Sequence, residues 1–219
     1  MRLPLQLLAL PALALLSGCS LIPEPKPDAT RYYTLATPPA AEVAAPTLAG
    51  APRLGLRKVE VSPYLAKGVL VVRTSESEVL FDDFARWAEP LEASLTRLLQ
   101  TCLQAEPQIG RVSLAPLSAE EERAFDLVVR LRRAEGVRTA ANAGVSRLVA
   151  VIELHSTGAG SELLAQRVFS APEAAWDGRD YNALSQALSG QVQLLSREIA
   201  SMVTAASQRT AAPAPATTP

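Results

Sequence analysis

The sequence predicts an α+β fold: a largely antiparallel, twisted sheet with two long amphipathic helices on one face. Three observations carry this. Phe125, Leu127, Val129 and Leu131 alternate with Asp126, Val128, Arg130 and Arg132, the period of two that marks a half-buried strand. The runs 125–131, 148–155 and 163–169 follow one another in sequence; where the connection is short, as at Gly158-Ala159-Gly160, strands that pair must be antiparallel. Finally, Tyr181, Leu184, Leu188, Val192, Leu195, Ile199 and Val203 advance by threes and fours. That spacing defines a helix with one apolar stripe, which the sheet must cover.

The elements follow in order. Arg2 and the apolar run Leu3–Leu16 form the n- and h-regions of a secretory signal, too short for the roughly 20 residues of a membrane-spanning helix. Leu16-Ser17-Gly18-Cys19 then resembles the bacterial lipobox, an aliphatic residue and two small ones before a cysteine whose thiol accepts a diacylglycerol. Cys19 is the expected lipid attachment point, with residues 1–18 removed as signal peptide. Ser20 lacks the acidic character associated with inner-membrane retention, which favours the periplasmic face of the outer membrane. Residues 19–52 are rich in Pro and Ala and read as a tether. Within it, Arg31-Tyr32-Tyr33-Thr34-Leu35 is an island of β-formers able to dock as an extra strand.

A single α+β domain is expected over 53–207. Leu54 and Leu56 share one parity and Val59 and Val61 the other, with Arg57-Lys58 between them, so a β-bulge is expected to restore the face. Val69–Arg73 and Val79–Phe81 flank a polar turn and read as a hairpin. Trp87, Leu91, Leu95, Leu98, Cys102 and Leu103 lie near one helical stripe. Since Pro90 fits only a first turn, that helix should begin near Ala88 or Glu89 after an irregular lead-in from Asp82. Ile109–Leu114 reads as a short strand, and Ser118-Ala119-Glu120-Glu121 as a capping box opening one helical turn. Leu148–His155 is apolar on both parities, the mark of a central strand. Glu135–Ser146 is long for a hairpin connection, and its Gly and Ala residues predict a mobile loop, either a binding feature or an insertion without a role. In the last helix Gln186, Gln191, Gln193, Arg197 and Glu198 are assigned to the polar face. Residues 208–219 have no core-forming pattern and read as a disordered tail.

Composition and motifs narrow the function. The chain has 219 residues, of which 48% are hydrophobic and 20% charged, enough to build a core. With 21 Lys and Arg against 22 Asp and Glu, the net charge is -1, and no basic field for nucleic acid exists. Aromatic residues make up 5%, few for a base-stacking platform. Two cysteines and one histidine are too few for a structural zinc site, and no metal or cofactor is expected. With Cys19 acylated, Cys102 stands alone and reads as a buried core thiol. No G-x-S-x-G elbow and no glycine-rich phosphate loop are present. His155 reads as a packed strand residue, and Asp82-Asp83 and Glu120-Glu121-Glu122 as charges near helix starts. No catalytic residue is assigned and no enzymatic activity is expected.

Several motifs in order resemble the ABC-type transport auxiliary lipoproteins, the PqiC-like family. They are the lipobox at Cys19, Tyr32-Tyr33-Thr34-Leu35, Val59-Glu60-Val61-Ser62-Pro63-Tyr64-Leu65, Val71-Val72-Arg73 and Phe84-Ala85-Arg86-Trp87-Ala88-Glu89-Pro90-Leu91. The resemblance implies an accessory subunit of an MCE (mammalian-cell-entry) lipid transporter. Its partners would be a periplasmic MCE-domain protein with its ABC permease and ATPase, and further copies of itself. A structural lipoprotein assisting outer-membrane or lipopolysaccharide export assembly is the alternative. A partner interface is expected on the sheet face opposite the helices, at Val149 and Val151 beside Arg130 and Arg132. That mixture is too apolar for simple solvation and too charged for a second core.

Overall fold

The structure, a computed structural model, describes residues 27–36, 47–118, 120–140, 143–157 and 160–211. Cys19, the signal segment and the C-terminal tail from 212 lie outside the described residues.

Nine strands and two helices follow in the order β1 (Arg31–Tyr33), β2 (Arg53–Val61), β3 (Val69–Arg73), β4 (Val79–Trp87), α1 (Leu91–Gln104), β5 (Arg111–Leu114), β6 (Phe125–Ala140), β7 (Ala143–Ser156), β8 (Leu163–Ser170), β9 (Ala174–Trp176) and α2 (Tyr181–Ala211). The α+β class holds. The spine is the long antiparallel hairpin of β6 and β7. Along the other edge of β6, β2 pairs with 125–131 and β3 with Gly136 and Val137, both parallel to it. β2 and β3 therefore run end to end, joined by a 3-10 turn at Leu65–Lys67. β5 lies outside β2; β4 lies outside β3, and β1 outside β4. On the far side, β7 carries β8 on one half and β9 on the other. The sheet is mixed. Most paired residues belong to antiparallel ladders, and the parallel ones involve β1, β2, β3 and β5, whose longer connections permit it.

α1 packs on β2 and β5, and α2 on β6, β7 and β8, with the two helices also against each other. Leu95, Leu99 and Leu103 of α1 and Leu184, Leu195 and Ile199 of α2 are fully buried against Leu54, Leu127, Leu131, Ile152 and Leu154. Burying side chains of this size contributes about 1.5–3 kcal/mol each. Along β7 burial alternates strictly, so Leu148, Ala150, Ile152 and Leu154 enter this core while Val149 and Val151 face the other way.

The expected bulge in β2 is present between Leu56 and Lys58, and it lets both Leu56 and Val59 reach the core. The docked strand at Arg31–Tyr33 is present too, parallel to β4.

Other expectations need correction. Asp82–Trp87 is not a helix lead-in but the second half of β4. Pairing with β1 holds it extended, the Trp87 amide donates to the Gly68 carbonyl at 3.0 Å, and the Ala88 amide donates to Tyr33 at 2.8 Å. Pro90 is the N-cap and the helix starts at Leu91, so Trp87 is buried at a strand end. Ser118 opens a turn instead of a helical turn; its hydroxyl accepts from the Glu120 amide, while Glu121 bonds Ser113.

The predicted mobile loop at 136–146 is not a loop in its described part. β6 runs through to Ala140 and β7 resumes at Ala143. The glycines that imitate a loop signal make room for an indole: a Cβ on Gly136 would lie 2.5 Å from Trp176 Cζ3, and one on Gly144 would lie 3.1 Å from Trp176 Cε3. Gln191, assigned to the polar face of the last helix, is buried and donates to the Ser146 and Pro172 carbonyls at 3.1 and 2.8 Å. β9 itself carries too few residues to show a period.

Candidate functional site

The face of the sheet away from the helices brings the expected interface residues together. Arg130 stands opposite Val151, and Val151 opposite Val168 on β8; Arg133 stands opposite Val149. Glu60 of β2 flanks Arg130 on its other side. A continuous row of Glu60, Arg130, Val151 and Val168 thus crosses four strands, with Val149 one step away. Val149 and Val151 are half-buried, and Val168 is 68% exposed. Arg132 is the extra residue of a bulge between Leu131 and Arg133. It is exposed, and its carbonyl accepts from the Ser62 hydroxyl at 3.2 Å and lies 3.1 Å from the Tyr64 hydroxyl oxygen.

A charge network organises this row. The Arg130 guanidinium donates to Glu60 at 2.9 Å and also to Glu153, while Lys58 holds the other oxygen of Glu60 at 2.6 Å. Gln166 donates to Glu153 at 3.0 Å, and His155 lies 3.4 Å from the same carboxylate. The Lys58 hydrogen bond holds the Glu60 carboxyl below the usual range against a smaller opposing effect of burial. Burial works to raise Glu153, but the bonds from Arg130, His155 and Gln166 outweigh it and hold this carboxyl low as well. The lone histidine is thus occupied as a partner of a structural carboxylate.

A second network seals the same face further along. Arg73 forms two bonds, of 2.6 and 3.2 Å, to Glu135, which is completely buried, and Tyr64 donates to Glu135 at 3.0 Å. Burial, reinforced by the Glu135 charge, pushes the Tyr64 hydroxyl up to about 12. Sequence reasoning did not find this trio; Glu135 was read as the start of a loop, and no local pattern links it to Arg73.

The remaining candidates are placed apart. Cys102 is buried under α2, and burial pushes its thiol up to about 11, so little thiolate forms at neutral pH. Asp82 lies near the Tyr181 hydroxyl beside the start of α2, whereas Glu120 and Glu122 lie in the turn before β6. Among the described residues, no group of three Cys, His, Asp or Glu side chains could hold a metal ion.

The sequence matches the family described as ABC-type transport auxiliary lipoprotein component over residues 33–200. The chain belongs to this family. The match runs from the last residue of the docked β1 into α2, so the auxiliary-lipoprotein unit includes the outward row, all of α1 and most of α2. No curated protein matches the sequence. Among solved structures, protein XCC0632 from Xanthomonas campestris superposes with a TM-score of 0.66 at 14% identity, covering 83% of this chain and 98% of that one. A second, uncharacterised protein gives a TM-score of 0.60 at 22% identity, covering 80% and 98%. At these identities the likeness establishes the fold of the auxiliary lipoprotein and nothing finer.

Proposed function

We propose that this auxiliary lipoprotein is a non-catalytic subunit of an MCE-type lipid transport system. It is anchored through Cys19 to the periplasmic face of the outer membrane, with residues 1–18 removed, 19–52 as a linking segment whose Arg31–Tyr33 docks as β1, and 53–207 carrying the rest of the working domain. The observation that carries the reading is the family match over 33–200. The outward row of β2, β6, β7 and β8 supports it. Half-buried Val149 and Val151 and exposed Val168 beside a fixed Glu-Arg-Glu network form a surface of the composition found in non-obligate interfaces, where apolar contact gives affinity and charges give register. In this role Val149, Val151, Arg130 and Arg132 contact either a second copy of the chain or the periplasmic MCE-domain protein, which works with its ABC permease and ATPase.

The test is affinity purification of the tagged, lipidated full chain from detergent-solubilised envelopes, with mass spectrometry of its N-terminus. The expected result is co-purification of an MCE-domain protein and an N-terminal diacylglyceryl-cysteine at position 19. Recovery of outer-membrane or lipopolysaccharide assembly components in place of the MCE protein would favour the alternative role. An intact Met1 or an unmodified Cys19 would remove the anchor.

A further inference from the structure

The edge of the sheet where the tether enters carries an unexplained surface. Among the described residues, four of the exposed large apolar side chains lie on β1 and β4: Tyr32 at 63% exposure, Phe84 at 60%, Leu80 at 43% and Phe81 at 36%. Strand register assigns three of them to one face. Tyr32 stands opposite Arg86, and Phe84 lies two residues before Arg86 with buried Ala85 between them. Phe81 stands opposite Val71 and Arg86 opposite Val69, residues of like parity on β3, so Phe81 faces the same way. Lys67 lies over the Phe81 ring at 4.3 Å from its centroid. The result is a face of three aromatic rings with two cations, Lys67 and Arg86, on the side of the sheet that the helices leave open. Two acidic groups adjoin it. Asp82 lies beside Tyr181 of α2, and Asp83 is exposed.

We infer that this aromatic and basic face, centred on Tyr32 and Phe84, rests on the phospholipid surface that holds the chain's own anchor. The inference rests on the proposed acylation of Cys19. Chain length chooses the occupant. Fully extended, the stretch from Cys19 to Arg31 reaches at most about 40 Å, roughly the diameter of a globular domain of this size. β1 is therefore the described element nearest the anchor along the chain, and its face lies within reach of the membrane that holds Cys19. β1, where this stretch enters, is itself held firmly on the domain. The Ala88 amide donates to the Tyr33 carbonyl at 2.8 Å, the Ala36 amide donates to Ser189 of α2 at 2.8 Å, and Leu35 is buried. Amphipathic aromatic rings and long basic side chains are the residues that settle at a headgroup boundary. An exposed aromatic cluster of this kind on an otherwise charged surface marks a contact.

The experiment uses the lipidated full chain reconstituted into vesicles of phosphatidylcholine and phosphatidylglycerol, with or without bromines on the acyl chains. Tyr32→Trp and Phe84→Trp each introduce a reporter, and Val168→Trp on β8 serves as the distant control. The native Trp87 and Trp176 are both buried, and their emission is subtracted with the unsubstituted chain. Near-UV circular dichroism checks that each variant is folded. Brominated lipid is expected to remove most of the added emission at positions 32 and 84 and to leave that at 168 unchanged. Amide exchange in β1 and β4 should slow on the vesicles. A chain that sediments with vesicles yet shows no quenching at 32 or 84 overturns the docking face while leaving the anchor intact. A protein-concentration-dependent blue shift without quenching overturns it in favour of a second copy. A chain that does not sediment with vesicles overturns the anchor and this inference together.

Discussion

At the scale of single residues, the buried groups carry the sharpest consequences. Glu135 has no solvent contact, and its charge is balanced by the bidentate Arg73 and one Tyr64 hydroxyl. Removing one partner of such a pair leaves a buried charge uncompensated, which costs about 3–5 kcal/mol, whereas replacing both with apolar groups of similar size is often neutral. Arg73→Met should therefore lower the unfolding free energy from urea titration by that amount, and the Arg73→Met, Glu135→Met double variant should recover most of it. A single variant within about 1 kcal/mol of the original chain would show that the pair contributes little. Cys102 gives a pH prediction. The folded chain holds the thiol proton up to about 11, while an unfolded thiol loses it near ~8.5. A raised native value stabilises the fold fully below the unfolded one and is lost as pH rises between the two. Stability should fall by about 1.4 kcal/mol per pH unit across that window, as read by urea titrations at successive pH values with Cys102→Ala as reference. At pH 8 iodoacetamide should modify Cys102 only in denaturant.

Elements were legible in the sequence where one face is buried and the other wet. The strand at β6, the bulge in β2 and the stripe of α2 all appear as predicted, because periodicity records burial, although Asp126 and Val128 on the outer parity of β6 are buried as well. The errors arose where a tertiary partner overrode local pattern. Asp82–Trp87 is extended because β1 pairs with it, from a segment fifty residues earlier in the chain. The Gly and Ala residues of 136–146 looked like a loop because the indole they accommodate comes from Trp176, in a three-residue strand too short to show a period. Gly136 is consequently a packing residue of a long hairpin. In Gly136→Ala the new methyl would approach Trp176 Cζ3 to 2.5 Å and Leu184 Cδ2 to 3.1 Å. Overpacking of this kind costs about 1–3 kcal/mol. The variant should lose stability by that amount in urea and show altered near-UV dichroism of Trp176, whose ring nitrogen donates to the Asp180 carbonyl at 2.7 Å. If position 136 were a mobile loop, neither quantity would move.

For the whole molecule, the placement of surfaces matters more than any one residue. The helices occupy one side of the sheet, the tether enters at the β1 edge, and the outward row from Glu60 to Val168 crosses toward the β8 edge. Sequence parity alone placed Val149 and Val151 on a common outward face and paired them in argument with Arg130. The structure sets Arg130 directly opposite Val151. What parity could not supply was strand order, and so neither the Val168 neighbour nor the Glu60 and Glu153 carboxylates that fix Arg130 were foreseen. Those carboxylates sharpen the prediction. Val151 lies between an arginine already committed to two acids and a valine open to solvent, so a partner docking here would meet an apolar strip whose charges are internally paired. Val151→Asp adds a carboxylate beside Glu153 and Glu60, where Arg130 has little capacity left to neutralise it. The position is only half-buried, so the monomer should remain folded. Any association through this row should weaken by the 2–5 kcal/mol typical of an uncompensated charge in an interface. Val168→Asp, at the exposed end of the strip, should weaken it with still less effect on folding. Sedimentation equilibrium of the soluble domain and binding to the proposed MCE-domain partner provide the measurement. Unchanged self-association and unchanged partner binding in both folded variants would move the interface off this face.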